Sequence, residues 1–247
     1  MQGTWKLVLA AVAVGMVLTL AGCGSGGEKG AEANDKTSEG AGAATGNDGK
    51  GGSVQAASYP GSPAMSGAQP AQQAPPAVLI QTTLGDITVE LDNENAPLTV
   101  DNFLAYVERG FYDQTIFHQV FPGAVILGGM FTPELIQKET DPPVRSEADN
   151  GLKNERGTIA MFRDYNVINS ATCQFFINVK DNPNYDYKPG AQETLTGEEY
   201  GYCVFGRVTG ESMKVVDQIA NVEVHDTADF ERIPVETVLI KSISRTR

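Results

Sequence analysis

Metal-binding side chains are scarce in this chain: two histidines and three cysteines among 247 residues. No Cys-x-x-Cys and no His-x-x-x-His spacing occurs, so little is left to build a metal site, and neither a metal nor another cofactor is expected. Basic residues are few as well. The 18 Lys and Arg stand against 31 Asp and Glu, a net charge of −13, and such a surface repels a nucleic-acid backbone instead of neutralising it. Long hydrophobic runs are rarer still. One spans Leu7–Ala21 behind Lys6. At about fifteen residues it suits the apolar part of an export signal and is short for a membrane-spanning helix, which needs roughly 20.

That run ends in Leu20-Ala21-Gly22-Cys23, and no other cysteine follows until Cys173. The tetrad resembles the lipobox of bacterial lipoproteins: Leu, two small residues, Cys. The resemblance implies cleavage before Cys23 and a diacylglyceryl group on its thiol. Residues 24–76 then lack large apolar side chains apart from Val54, Tyr59 and Met65. A segment rich in Gly, Ala, Pro and Gln buries too little surface to offset chain entropy, so it reads as disordered. A flexible coil of about 50 residues has an r.m.s. reach on the order of 40 Å, enough to hold a domain clear of a membrane. The expected organisation is a signal peptide at 1–22, a lipid-bearing tether at 23–76 and one folded domain at 77–247. The expected location is outside the cytoplasm, anchored to the cell membrane, as a monomer.

Within 77–247 the rhythm is mainly β. Val78–Leu91 reads as a hairpin about Gly85-Asp86, with Ile87, Val89 and Leu91 on one face. Asn95-Ala96-Pro97 starts a helix whose stripe is Val100, Phe103, Leu104 and Val107, and Gly110 sits where a C′ glycine belongs. Further strands are expected at 158–162, 173–179, 202–208 and 238–243. A second helix, 211–222, carries Met213, Val216, Ile219 and Ala220 on its apolar face. Loops fill 133–155 and 180–201. Helices do not follow every strand, which excludes a doubly wound parallel sheet and favours an antiparallel barrel or sandwich capped by two helices. Cys173 and Cys203 are expected as buried free thiols, and Glu147–Asp149 and Glu198-Glu199 as solvated loop charges.

The stretch Thr115–Met130, TIFHQVFPGAVILGGM, is the most apolar of the domain, and His118 and Gln119 are its only polar side chains between Phe117 and Leu127. Such a hairpin is either core or the wall of a concave site. It is similar to the F-H-R-V-x-x-G-F-M-x-Q-G-G signature of the cyclophilins, a family of peptidyl-prolyl cis–trans isomerases. Gly151–Met161 (GLKNERGTIAM), Ser170–Asn178 (SATCQFFIN) and Tyr202–Gly206 (YCVFG) resemble the next family blocks, in their bacterial form and in collinear order. The resemblance implies a closed eight-stranded antiparallel barrel with a helix over each end. It also implies rotation about Xaa-Pro bonds, performed by an apolar proline pocket and an Arg donor, with unfolded or proline-containing exported polypeptides as partners.

Several positions depart from that pattern. Gln119 stands at the catalytic Arg, Ala124 at the family's Phe, Val125 at its Met, and Leu127 at the Gln that orients the Arg. Gln174, Phe176 and Tyr202 match binding positions, and Tyr185 aligns loosely with a pocket Leu. Phe162 replaces an Ala, so a large-for-small change there and a small-for-large change at Ala124 would refill the pocket from the other side. Arg163 is a candidate replacement cation or a solvated rim charge, and His118 is expected to be a hydrogen-bonded structural residue beside the pocket. The function implied is an isomerase weakened by Gln119. The alternative is a proline-peptide binding module that does not catalyse.

Overall fold

The computed structural model describes residues 75–190 and 197–246; the expected signal peptide, Cys23 and the expected tether up to residue 74 lie outside these. Ten strands form: β1 (Ala77–Thr82), β2 (Asp86–Leu91), β3 (Thr115–Phe121), β4 (Val125–Gly128), β5 (Thr158–Met161), β6 (Phe175–Asn178), β7 (Val204–Val208), β8 (Val224–His225), β9 (Ile233–Pro234) and β10 (Val238–Arg245). Eight of them close a barrel in the order β1-β10-β3-β4-β6-β5-β7-β2, every neighbouring pair antiparallel. The expected hairpin, helices and strands all form. The two-residue ribbon β8–β9 and a single helical turn at Gly197–Tyr200 were too short to leave a periodic signature.

Helix α1 (Pro97–Glu108) begins with Pro in its first turn, where the missing N–H costs nothing. Gly110 follows it with φ of 66°, the left-handed turn that only glycine enters without strain. The free N–H groups of Leu98 and Thr99 are taken by Glu147, at 3.1 and 2.8 Å, and the Thr99 hydroxyl donates to the same carboxylate at 2.7 Å. Glu147 was expected to be a solvated charge. It is instead the anion at a helix N-terminus, delivered from a loop 48 residues away.

Phe103 of α1 enters the barrel, with ring centroids 5.2, 5.8 and 5.1 Å from Tyr112, Phe175 and Phe205. Helix α2 (Met213–Ala220) buries Val216, Ile219 and Ala220. Cys173 and Cys203 are both buried and free, and burial pushes both thiols up to about 12, so they behave as inert apolar groups. Gly206 marks the β2–β7 seam. A Cβ there would sit 2.5 Å from the Glu90 carbonyl oxygen, so this strand position accepts no side chain.

Strands β3, β4, β5 and β6 are apolar on both faces because both faces are covered. Phe117, Val120, Ile126, Ile159, Met161, Phe175 and Ile177 fill the barrel. The alternating residues Val125, Leu127, Ala160, Phe176 and Val204 form a second cluster on the outer surface. The hairpin that read as either core or the wall of a site supplies residues to both clusters.

Candidate functional site

The outer cluster opens into a small apolar pocket lined by Phe121, Val125, Leu127, Phe162, Phe176, Tyr185 and Tyr202. Six of these seven were expected from the sequence. Phe121 was not, and a bulge explains why. The β3–β4 register shifts between Phe117 and Gln119, so Phe117 points into the barrel while Gln119 and Phe121 face outward opposite Leu127 and Val125. A strict two-residue alternation from Phe117 would have put all three on one face.

Aromatic rings dominate the walls. Tyr202 lies 5.4 Å from Phe176 and from Tyr185, both edge-on, and is stacked on Phe162 at 6.1 Å and 20°. Phe176 meets Tyr185 at 5.9 Å. The enclosed space is about 20 Å³, room for a single water. Backbone holds the two tyrosines together: the Tyr202 amide donates to the Tyr185 carbonyl at 2.8 Å. Gly201 makes this approach possible, since a Cβ there would lie 2.5 Å from the backbone of Asp186 and Tyr187. Behind them Asn154 donates to the Tyr185 and Tyr202 carbonyls at 2.9 and 3.4 Å. Asn178 donates to the Asn154 and Thr158 side chains, so the supporting loops are tied through satisfied buried amides.

Several expected site residues lie elsewhere. Ala124 does not line the pocket. It closes the turn after Phe121, its amide donating to the Phe121 carbonyl at 2.9 Å and its own carbonyl accepting from Val179 at 2.8 Å. The refilling expected from Ala124 and Phe162 is therefore made by Phe162 together with Phe121. Arg163 is neither a rim charge nor a cation in the pocket. It is 3% exposed, donates to the Gly201, Asp164 and Tyr165 carbonyls at 2.8, 2.9 and 3.1 Å, and sits 5.2 Å behind the Tyr202 ring. Gln174 donates to the Met130 sulfur at 3.1 Å and is outside the pocket lining.

Gln119 is 2% exposed, and its Nε2 donates to the Glu231 carbonyl at 3.2 Å. The strap that carries Glu231 also accepts the Val120 amide through Arg232, at 3.0 Å. Gln119 is thus bound to the strap joining β8 to β9 and is not among the residues lining the aromatic box. Gln119 and Leu127 are direct cross-strand partners, so the two departures that looked coupled in sequence occupy one paired site.

His118 is 2% exposed and packs edge-on against Phe131 at 4.7 Å and Phe230 at 6.2 Å. Its Nδ1 has no hydrogen-bond partner among the described residues, so the expected hydrogen-bonded histidine is met only in part, through the Ile116 backbone and the Gln174 side chain. Burial lowers its pKa to about 4, hydrogen bonds with the Ile116 backbone and the Gln174 side chain opposing it. The imidazole is neutral in the folded protein and charges on unfolding below its ordinary value near 6.5, so the unfolded state binds the extra proton. Its contribution is present above about pH 6.5 and is lost as pH falls toward about 4, at roughly 1.4 kcal/mol per unit. Urea unfolding between pH 4 and 6.5 is expected to show that slope, and His118→Gln to flatten it by one proton; equal slopes in both proteins would contradict the assignment.

A larger open groove, about 910 Å³, runs past Glu90, Asp92, Glu94, Lys153, Glu155 and Arg207. It contains none of the expected site residues, and an Arg207–Glu155 ion pair of 2.8 Å crosses it. The apolar aromatic box is the better candidate, because a proline ring carries no charge for such walls to grip. Among the described residues, no cluster of three or more His, Cys, Asp or Glu is placed to hold a metal.

Residues 77–245 match the family described as cyclophilin type peptidyl-prolyl cis-trans isomerase. Peptidyl-prolyl cis-trans isomerase B of Escherichia coli (strain K12) is 46% identical over 167 residues, which cover 68% of this chain and 98% of that protein. The isomerase cyp18 of Streptomyces antibioticus is 47% identical over 165 residues, 67% of this chain and 95% of its own. The crystal structure of a cyclophilin type isomerase from Cryptosporidium parvum superimposes with a TM-score of 0.57 at 26% identity, covering 70% of this chain and 98% of that one.

Proposed function

The chain belongs to the cyclophilin type peptidyl-prolyl cis–trans isomerase family, and on that premise we propose that it turns Xaa-Pro bonds of exported polypeptides slowly, from a membrane anchor at Cys23. Rotation about the prolyl amide faces a barrier of roughly 18–20 kcal/mol because the bond is conjugated, and the uncatalysed exchange takes tens to hundreds of seconds. Twisting the bond leaves a lone pair on the prolyl nitrogen. Catalysis therefore needs a dry pocket for the ring and a hydrogen-bond donor for that nitrogen, with no nucleophile. The aromatic box supports the first requirement.

The observation that carries the proposal of slow turnover is the Gln119 amide, neutral and bonded to Glu231 where the family pattern has an Arg. A neutral donor is about half as strong as a charge-assisted one, and loss of a transition-state donor costs about 10²–10³ in rate. The same observation favours a second reading, in which the box binds proline segments without turning them. The apolar run before Cys23 and the lipobox pattern support the membrane location.

One experiment addresses the function and its place. Full-length protein is purified from the membrane and soluble fractions of producing cells and assayed on an Xaa-Pro peptide. Slow turnover above background is expected from the membrane fraction, and Cys23→Ala is expected to move it to the soluble fraction. Peptide binding with a background rate would leave the binding module standing instead. Unchanged partition of the Cys23→Ala protein would sink the lipid anchor.

A further inference from the structure

With the Gln119 amide engaged by Glu231, the site still has to present a donor to a twisting prolyl bond. The polar groups nearby can be taken in turn. Gln119 gives its Nε2 to Glu231, and Gln174 gives its Nε2 to Met130. His118 is neutral and enclosed by Phe131 and Phe230. Arg163 donates to three carbonyls among its contacts and lies against an aromatic ring. None of these four lines the pocket; Tyr185 and Tyr202 do. Their backbone groups are bonded, but neither phenolic hydroxyl has a hydrogen-bond partner among the described residues, and both side chains are partly buried. Each hydroxyl retains a donor that the fold does not use.

The two tyrosines are not equivalent. Tyr202 is stacked on Phe162 and clamped by the Gly201 turn. The Arg163 guanidinium, 5.2 Å from its ring, is held in turn by the Gly201 carbonyl. A fixed cation against a phenol withdraws electron density and makes the O–H a stronger donor. Tyr185 has no cation on its ring. Burial raises the pKa of both phenols, and only for Tyr202 does a neighbouring guanidinium oppose this. Both stay protonated through neutral pH.

We propose that Tyr202 is the hydrogen-bond donor of this isomerase, with Arg163 as the positioning residue that aims and polarises its hydroxyl. The donor wall has moved from β3 to the turn entering β7, on the opposite side of the aromatic box. This rests on the chain turning over Xaa-Pro bonds, as proposed above. No proton is transferred; the phenol donates a hydrogen bond to the prolyl nitrogen as the amide twists and keeps its proton afterwards.

The test is Tyr202→Phe in the full-length protein, read as kcat and KM separately. The ring and its stacking remain and the hydroxyl is bonded to nothing among the described residues, so the melting temperature is expected to stay put. A donor used only in the twisted state predicts a fall in kcat of about 10²-fold with KM within about twofold. A purely structural role would move KM and melting together. In a second variant, 3,5-difluorotyrosine at position 202 keeps the ring and lowers the phenol pKa. Its kcat is expected to fall with rising pH in a range where the natural protein is flat, because an ionised phenol cannot donate. Tyr202→Phe turning over like the natural protein, or a 10²-fold loss in Tyr185→Phe alone, would overturn the assignment. If the natural protein itself shows only the background rate, the isomerase reading fails, and this one with it.

Discussion

Exchanging Gln119 for Arg raises kcat/KM on an Xaa-Pro peptide by about 10²-fold, the order of effect of one well-placed transition-state donor. Gln119 has two amide N–H groups, both neutral, and gives one to the Glu231 carbonyl at 3.2 Å. A guanidinium carries five N–H donors in a planar fork. It can keep the Glu231 contact and still present others across β3 toward the box, each charge-assisted. Leu127 stands directly opposite position 119 and has no polar group to steer the new side chain. Adding Leu127→Gln to Gln119→Arg is therefore expected to extend the gain. The exchange also interrogates Tyr202. Once an Arg donor is present, removing the Tyr202 hydroxyl should cost less than it does in the natural protein, a coupling that a double-mutant cycle measures directly. If Gln119→Arg leaves the rate unchanged with peptide binding intact, the pocket lacks more than a donor.

Shortening Phe162 to Ala tightens binding of a proline-containing peptide by about tenfold, worth roughly 1.4 kcal/mol, while lowering stability by about 2 kcal/mol. The stability loss is set below the usual 3–5 kcal/mol for a core Phe, because Phe162 is only partly buried. The affinity gain follows from space. The box has room for about one water between its walls, so removing a ring is expected to make space for a prolyl ring. Phe162 is only partly buried and stacks on the face of Tyr202, which makes it the one to remove. Titration of a labelled peptide against both proteins, beside urea unfolding, measures both effects. Unaltered peptide affinity would show that the box opens at no cost and that Phe162 does not gate it.

The strand hairpins, both capping helices and the family blocks were all legible in the sequence, because each rests on local periodicity or on residues close in the chain. Val100, Phe103, Leu104 and Val107 announce α1 by spacing alone, and Gly110 ends it as a C′ glycine should. Most of the pocket was legible too, since Val125, Leu127, Phe176 and Tyr202 sit in recognisable blocks. What the chain order could not convey is which face each residue takes and what comes to meet it. The bulge between Phe117 and Gln119 adds one residue to the strand and brings Phe121 into the box. Glu147 becomes a helix cap only when a loop 48 residues distant packs on α1. Arg163 passes for a surface charge until burial and the Gly201 carbonyl place it behind Tyr202. Hydrophobic pattern and local propensity are properties of neighbours along the chain. Donor direction, ring stacking and the free hydroxyls of the box depend on contacts between distant segments, and only the closed barrel brings those segments together.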